Sequence, residues 1–143
     1  MAYSNILIAV DGSKYSQHAV KKGIELAEQL SATVTLLCVV DYINVVADLS
    51  GEAGNQEVFK ILGDEANEIV DSTAKKYSYN KIKKLTAEGI PAKVILKTAK
   101  DIQANIIITG THGRKGLSHL FLGSVAEYVV RYSEIPVMVI PIK

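Results

Sequence analysis

A chain of 143 residues, 48% hydrophobic and 22% charged, can bury an apolar core without disulfide or metal staples and shows no bias towards disorder. Its net charge of +1 provides no global basic field to recruit nucleic acid or an anionic membrane surface. A lone cysteine, Cys38, excludes an internal disulfide, and no apolar run approaches the ~18 residues of a membrane span.

One domain over residues 1–143 is therefore expected, in a reducing, cytoplasmic compartment, with Cys38 a buried and inert thiol. Residues 4–10, SNILIAV, predict a short strand buried on both faces, ended by Asp11-Gly12-Ser13. From Ser13, a suitable N-cap, to about Leu30, the apolar residues Ala19, Val20, Ile24, Ala27 and Leu30 mark one face of an amphipathic helix. TVTLLCVV, residues 33–40, predicts a second buried strand, and the polar stretch from Asp41 to about Asn55 a long loop. A second, longer helix is marked by Val58, Ile61, Leu62, Ala66, Ile69, Val70 and Ala74.

KIKKLTAEG, residues 81–89, alternates in period two and carries lysines, as an exposed strand at a sheet edge should. Pro91 suits the first turn of a third helix, with Ala92, Ile95, Ala99 and Ile102 as its apolar stripe. NIIITG, residues 105–110, predicts a fourth strand. Past a glycine-rich stretch, Val125, Ala126, Val129 and Val130 mark a fourth helix, and Pro136 separates it from a last strand, VMVI. Five strands alternating with four helices predict a single α/β domain with a doubly wound parallel sheet. A ligand in such a sheet lies beyond the carboxyl ends of the strands where the order reverses, which points to Asp11 and Gly110.

The stretch ITGTHGRKGLSHLFLGSVAEY, residues 108–128, contains four glycines, and about a dozen residues separate strand from helix where two to six are usual. Free amides at the start of the helix, its positive dipole end and the Ser124 hydroxyl together suit a phosphate. Read residue by residue, the same stretch is also an ordinary turn followed by a helix capped by Ser124. Asp11 is either a ribose or metal-supporting carboxylate or a turn-forming residue before Gly12. Arg114 suits multidentate phosphate binding or is a surface charge, and His112 is a phosphate contact or a turn residue. His18 and His119 have no metal-ligand spacing, and the tyrosines read as packing or surface groups. There is no G-x-x-x-x-G-K-[ST], no G-x-G-x-x-G after the first strand and no G-x-S-x-G.

The spacing Gly110-x2-Gly113-x9-Gly123-Ser124, with ILIAVDGS near the N-terminus and IPVMVIPIK at the C-terminus, resembles the ATP-binding branch of the universal stress protein family across essentially the whole chain. The resemblance implies a Rossmann-like fold of the adenine nucleotide alpha hydrolase type and a bound ATP with magnesium or manganese bridging its phosphates, with Asp11 a candidate support. It implies that Ala9, Val10 and Asp11 border the ribose and adenine, and that Val39 or Val40 offers backbone groups to the adenine edge. Gly110, Thr111, His112, Gly113 and Arg114 would run along the ribose and phosphates, and Gly123, Ser124 and Val125 would close the cradle with their amides. Ala126 departs from the threonine that some ATP-binding relatives carry, removing one phosphate donor.

Three functions follow from this resemblance. The first is a nucleotide-dependent regulatory module of the stress response. The second is a slow ATPase: no catalytic residue is assigned, because the cradle holds no carboxylate or glutamine to orient water, and the S-G-G-x-D-S and H-x-G-H motifs of related ATP-using enzymes are missing. The third is a homodimer formed through the terminal strand, Val137 to Pro141, independent of nucleotide. Neither nucleic acid nor a membrane is expected as a partner.

Overall fold

The computed structural model describes residues 3–41, 55–112 and 122–142. The expected alternation is present: β1 (Asn5–Ala9), α1 (Lys14–Leu30), β2 (Thr33–Val40), α2 (Asn55–Lys75), β3 (Ile82–Glu88), α3 (Pro91–Asp101), β4 (Ile106–Gly110), α4 (Ser124–Tyr132) and β5 (Val137–Ile140). All five strands are parallel, in the order β3-β2-β1-β4-β5.

The three interior strands, β2, β1 and β4, are near-continuous apolar runs, since each must satisfy a layer of helices on both sides. Ile6, Ile8, Leu36 and Ile108 pack on one face with Ala19, Val20, Ile24 and Ala27 of α1 and Ala66 and Val70 of α2. Leu7, Leu37 and Ile107 pack on the other with Ala92, Ile95 and Ala99 of α3 and Val129 of α4. At register Ile6 pairs with both Val34 and Ile106, so β1 is hydrogen-bonded on both sides. β3 lies at the sheet edge as its lysines imply, and only Ile82 and Ala87 among its residues are partly covered. Lys84 reaches back to Asp71 of α2 at 2.8 Å, and its ammonium holds that carboxyl below the usual carboxylate range.

Helix boundaries follow local chemistry. The Ser13 side chain accepts from the Ser16 amide and starts α1, and Pro91 opens α3. α1 ends at Ser31, which adopts the left-handed conformation (φ 54°, ψ 37°) with its N–H returned to Ala27 and Glu28. Three expected core positions differ, the first being Leu30, 37% exposed at the end of α1. Ile61 is 63% exposed on α2, where Thr73 is buried and accepts from Gln17 Nε2 at 3.1 Å, and Val130 on α4 is 48% exposed. The segment expected as a loop after Asp41 falls outside the described residues.

Candidate functional site at the β1 and β4 carboxyl ends

Sheet order reverses between β1 and β4: the chain leaves β1 towards β2 on one side, and β4 is followed by β5 on the other. The loops after these neighbouring strands therefore diverge and leave a crevice at their carboxyl ends. The DGS turn follows β1, Thr111 and His112 follow β4, and the chain returns at Gly123 ahead of α4.

On the β1 side, Ala9 ends the strand half-buried and Val10 continues the ladder, its N–H donating to Leu37 O at 2.8 Å. Asp11 then forms a tight turn. Its Oδ1 accepts from the Ser13 N–H at 2.9 Å, while its own N–H donates to Ser16 Oγ at 3.2 Å. The buried Ser16 hydroxyl donates in turn to Ser13 O. The turn-forming role of Asp11 is thus realised, and it orients the carboxylate at the mouth of the crevice. At the end of β2, Val39 is half-buried on the α3 and α4 side and Val40 is buried on the other. The Val40 carbonyl accepts from the Gly89 N–H at 3.0 Å, which ties β2 to the turn after β3.

On the β4 side, Gly110 is buried against the first turn of α1. A Cβ there would stand 2.8 Å from the Tyr15 carbonyl oxygen and 3.0 Å from Tyr15 Cβ, so only glycine lets the two backbones approach. Thr111 and His112 follow, half-buried, with His112 Nδ1 3.0 Å from Thr111 Oγ1. Gly113 and Arg114 lie outside the described residues. The chain returns at Gly123, whose N–H donates to Thr111 O at 2.7 Å, so that the two ends of the loop meet. A Cβ on Gly123 would lie 2.9 Å from that same oxygen and 3.1 Å from His112 Cα.

This contact corrects the expectation that Ser124 caps α4. Gly123 is the N-cap, in extended conformation (φ −62°, ψ 155°) and without a side-chain hydrogen bond, because the crowded approach to Thr111 leaves no room for a side chain. Ser124 is the first helical residue and is exposed, with Val125 half-buried behind it. The first-turn amides of α4 have no carbonyl of a preceding turn to bond, and the helix dipole adds positive potential at the same point. Glu127, the acidic residue of that turn, is engaged by Arg131 Nε at 2.8 Å.

The amides and hydroxyl at the start of α4 suit an anion, and glycines stand where a Cβ would obstruct the backbone, while the Asp11 carboxylate on the β1 turn suits hydroxyl donors or a cation. Among the described residues no group of three or more His, Cys, Asp or Glu side chains converges to hold a metal by protein ligands alone. Sequence reasoning missed Tyr15, whose ring lies 5.1 Å from that of His112. Its only signal was its place in the first turn after DGS, immediately ahead of the buried Ser16.

The model of the Universal stress protein family matches residues 2–141. "Universal stress protein MJ0531" of Methanocaldococcus jannaschii is 36% identical over 141 residues, covering 96% of this chain and 82% of that protein. Among solved structures, hypothetical protein MJ0577 superposes with a TM-score of 0.87 at 31% identity, covering 100% of this chain and 99% of that one. A universal stress protein solved in complex with cAMP shares the fold, with a TM-score of 0.68 at 22% identity over 99% of this chain and 98% of that one. No helix among the described residues is long and apolar enough to cross a membrane.

Proposed function

The chain belongs to the universal stress protein family, and from that premise we propose that it is a nucleotide-dependent regulatory module that holds ATP, with magnesium or manganese, in the β1/β4 crevice. The observation that carries this reading is the meeting of Thr111 and Gly123, which spends the Gly123 amide on the Thr111 carbonyl and sets the end of β4 beside the first-turn amides of α4. A relative with this fold is described in complex with cAMP, which supports an adenine nucleotide as the ligand class.

In this reading Ala9, Val10 and Asp11 border ribose and base, and Val39 or Val40 presents backbone to the adenine edge. Gly110, Thr111, His112, Gly113 and Arg114 follow the ribose and phosphates, and Ser124 and Val125 close on the phosphate chain with their amides, while the Gly123 amide, expected to join them, is spent on the Thr111 carbonyl. Asp11, on the turn after β1, would be the carboxylate to support a divalent cation, which would neutralise phosphate charge when bound. ATP occupancy biases the loops at the carboxyl edge and through them a partner contact in the cytoplasm. Hydrolysis is at most slow in this reading, since the cradle sequence offers no carboxylate or glutamine to orient a water at the γ-phosphate.

Calorimetric titration with ATP and magnesium tests the proposal. Binding is expected for the wild type, weakened at least about tenfold, or 1.4 kcal/mol, by Gly113→Val and less by Ser124→Ala. No heat of binding at millimolar ATP would end it, and rapid steady-state phosphate release would replace it with an enzymatic reading.

The second component is a homodimer through β5, Val137 to Pro141. β5 is an all-apolar edge strand of four residues, and a groove of about 410 Å³ runs beside it between Met138, Ile140 and Pro141 and the Lys22, Leu26 and Gln29 face of α1. An open apolar edge of this kind is a pairing surface.

A further inference from the structure

The turn that carries Asp11 closes on itself. Asp11 Oδ1 accepts from the Ser13 N–H at 2.9 Å, Ser13 Oγ from the Ser16 N–H at 3.2 Å, and Ser16 Oγ from the Asp11 N–H at 3.2 Å. Each of the three side chains accepts the backbone N–H of the next, and the last returns to the first. An ordinary capping box has two members, the residue three beyond the N-cap reaching back to the N-cap's own N–H. Here that N–H is taken by Asp11, and the Ser16 hydroxyl reaches two residues further, to Asp11 itself. Gly12, at φ 84°, makes the bend between Asp11 and Ser13.

We infer that Ser16 is a positioning residue: through this ring its hydroxyl sets the Asp11 carboxylate for the ribose hydroxyls of the nucleotide. The helix itself does not call for a hydroxyl at this point. Ser16 is 4% exposed within α1, where alanine has the higher helix propensity and would bury no polar group. Desolvation of the hydroxyl is offset by two hydrogen bonds, one donated to Ser13 O at 3.2 Å and one accepted from the Asp11 N–H. The first stays within the start of the helix. The second reaches out of α1 to the turn that follows β1, and it is the step that completes the ring. Without it the Asp11 N–H loses its acceptor, and the backbone that carries the carboxylate loses its direct tie to the buried first turn of α1. A carboxylate beyond the end of a strand is a fitting acceptor for ribose hydroxyls. The assignment to ribose rests on the nucleotide reading; the ring does not.

The test combines titrations of the wild type, Ser16→Ala, Asp11→Ala and the double variant with amide exchange of the nucleotide-free proteins read by NMR. The ligands are ATP and its dideoxy analogue, which lacks both ribose hydroxyls, at one magnesium concentration. Ser16→Ala is expected to weaken ATP about fivefold, to weaken the dideoxy analogue less than about twofold, and to add less than about twofold to the loss in Asp11→Ala. In the nucleotide-free protein the Asp11 amide should exchange about tenfold faster in Ser16→Ala, while the Val34 amide, bonded to Lys81 O at 2.8 Å, is unchanged. Equal losses for the two nucleotides, or losses that multiply in the double variant, would mean that Ser16 does not act through Asp11 and would overturn the inference. Unchanged exchange at Asp11, or equal acceleration at Val34, would overturn it as well. A wild type that binds neither nucleotide while Asp11 still responds to Ser16→Ala would support the ring and sink the nucleotide reading.

Discussion

Gly110 shows how one position serves packing and binding together. A phosphate-binding role was assigned to it from spacing, yet the more direct constraint is the Tyr15 carbonyl 2.8 Å from where a Cβ would sit. Backbone on both sides leaves nothing soft to yield. Gly110→Ala is therefore expected to cost about 1–3 kcal/mol as an overpacking change. Thermal unfolding should register it as a midpoint about 2–12 °C lower, at about 2–4 °C per kcal/mol for a chain of this size. An unshifted midpoint would mean that α1 slides away at no cost. At this scale the sequence was legible where chemistry is local, as with Asp11 and Ser13, whose turn and cap depend on neighbours two and three residues away. Tyr15 was not, because its partner His112 is 97 residues further along the chain and nothing in either residue announces the other.

At the scale of elements, residue patterning located all nine described elements, because burial of one face or both is written directly in residue order, and the exposed β3 is marked instead by its alternating lysines. It erred where hydropathy and burial part company. Thr73 is covered because its hydroxyl has a partner in Gln17, which an apolar stripe does not record, and Ile61 and Val130 point outward despite fitting the stripe. The C-terminus of α1 holds a correctable strain. Ser31 occupies left-handed space at φ 54°, where an L side chain is disfavoured and glycine is not. Its carbonyl, which accepts from Lys81 Nζ at 3.1 Å, is backbone and survives substitution. Ser31→Gly should stabilise the protein by about 0.5–1 kcal/mol, net of the greater freedom of glycine in the unfolded chain. Denaturant titration checks it through a higher midpoint at constant slope.

For the whole molecule, the two sheet edges are opposites. β3 is guarded by Lys81, Lys83 and Lys84, whereas β5 is four apolar residues with one side of its ladder open. The Pro136 carbonyl accepts from the Ile107 N–H, so Pro136, Met138 and Ile140 aim their backbone groups at β4, and Val137 and Val139 aim theirs outward. Val139→Pro removes an outward donor while leaving the β4 ladder in place. It is expected to convert a dimer to a monomer in sedimentation equilibrium; a wild-type monomer, or an unaltered dimer in the variant, would reject pairing through β5. The doubly wound topology was legible because right-handed crossovers leave few ways to wind such an alternation, while the meeting of the loop ends was not, being a tertiary contact between residues of no local signature. That meeting has an evolutionary consequence. Chain between His112 and Gly123 departs and returns through a single hydrogen-bonded doorway, so its length and composition can vary with little disturbance to the sheet, each doubling of length costing only about 0.6 kcal/mol of closure entropy. On the proposed nucleotide reading, a loop grafted from a relative between these two residues should carry its own ligand preference onto an unaltered frame.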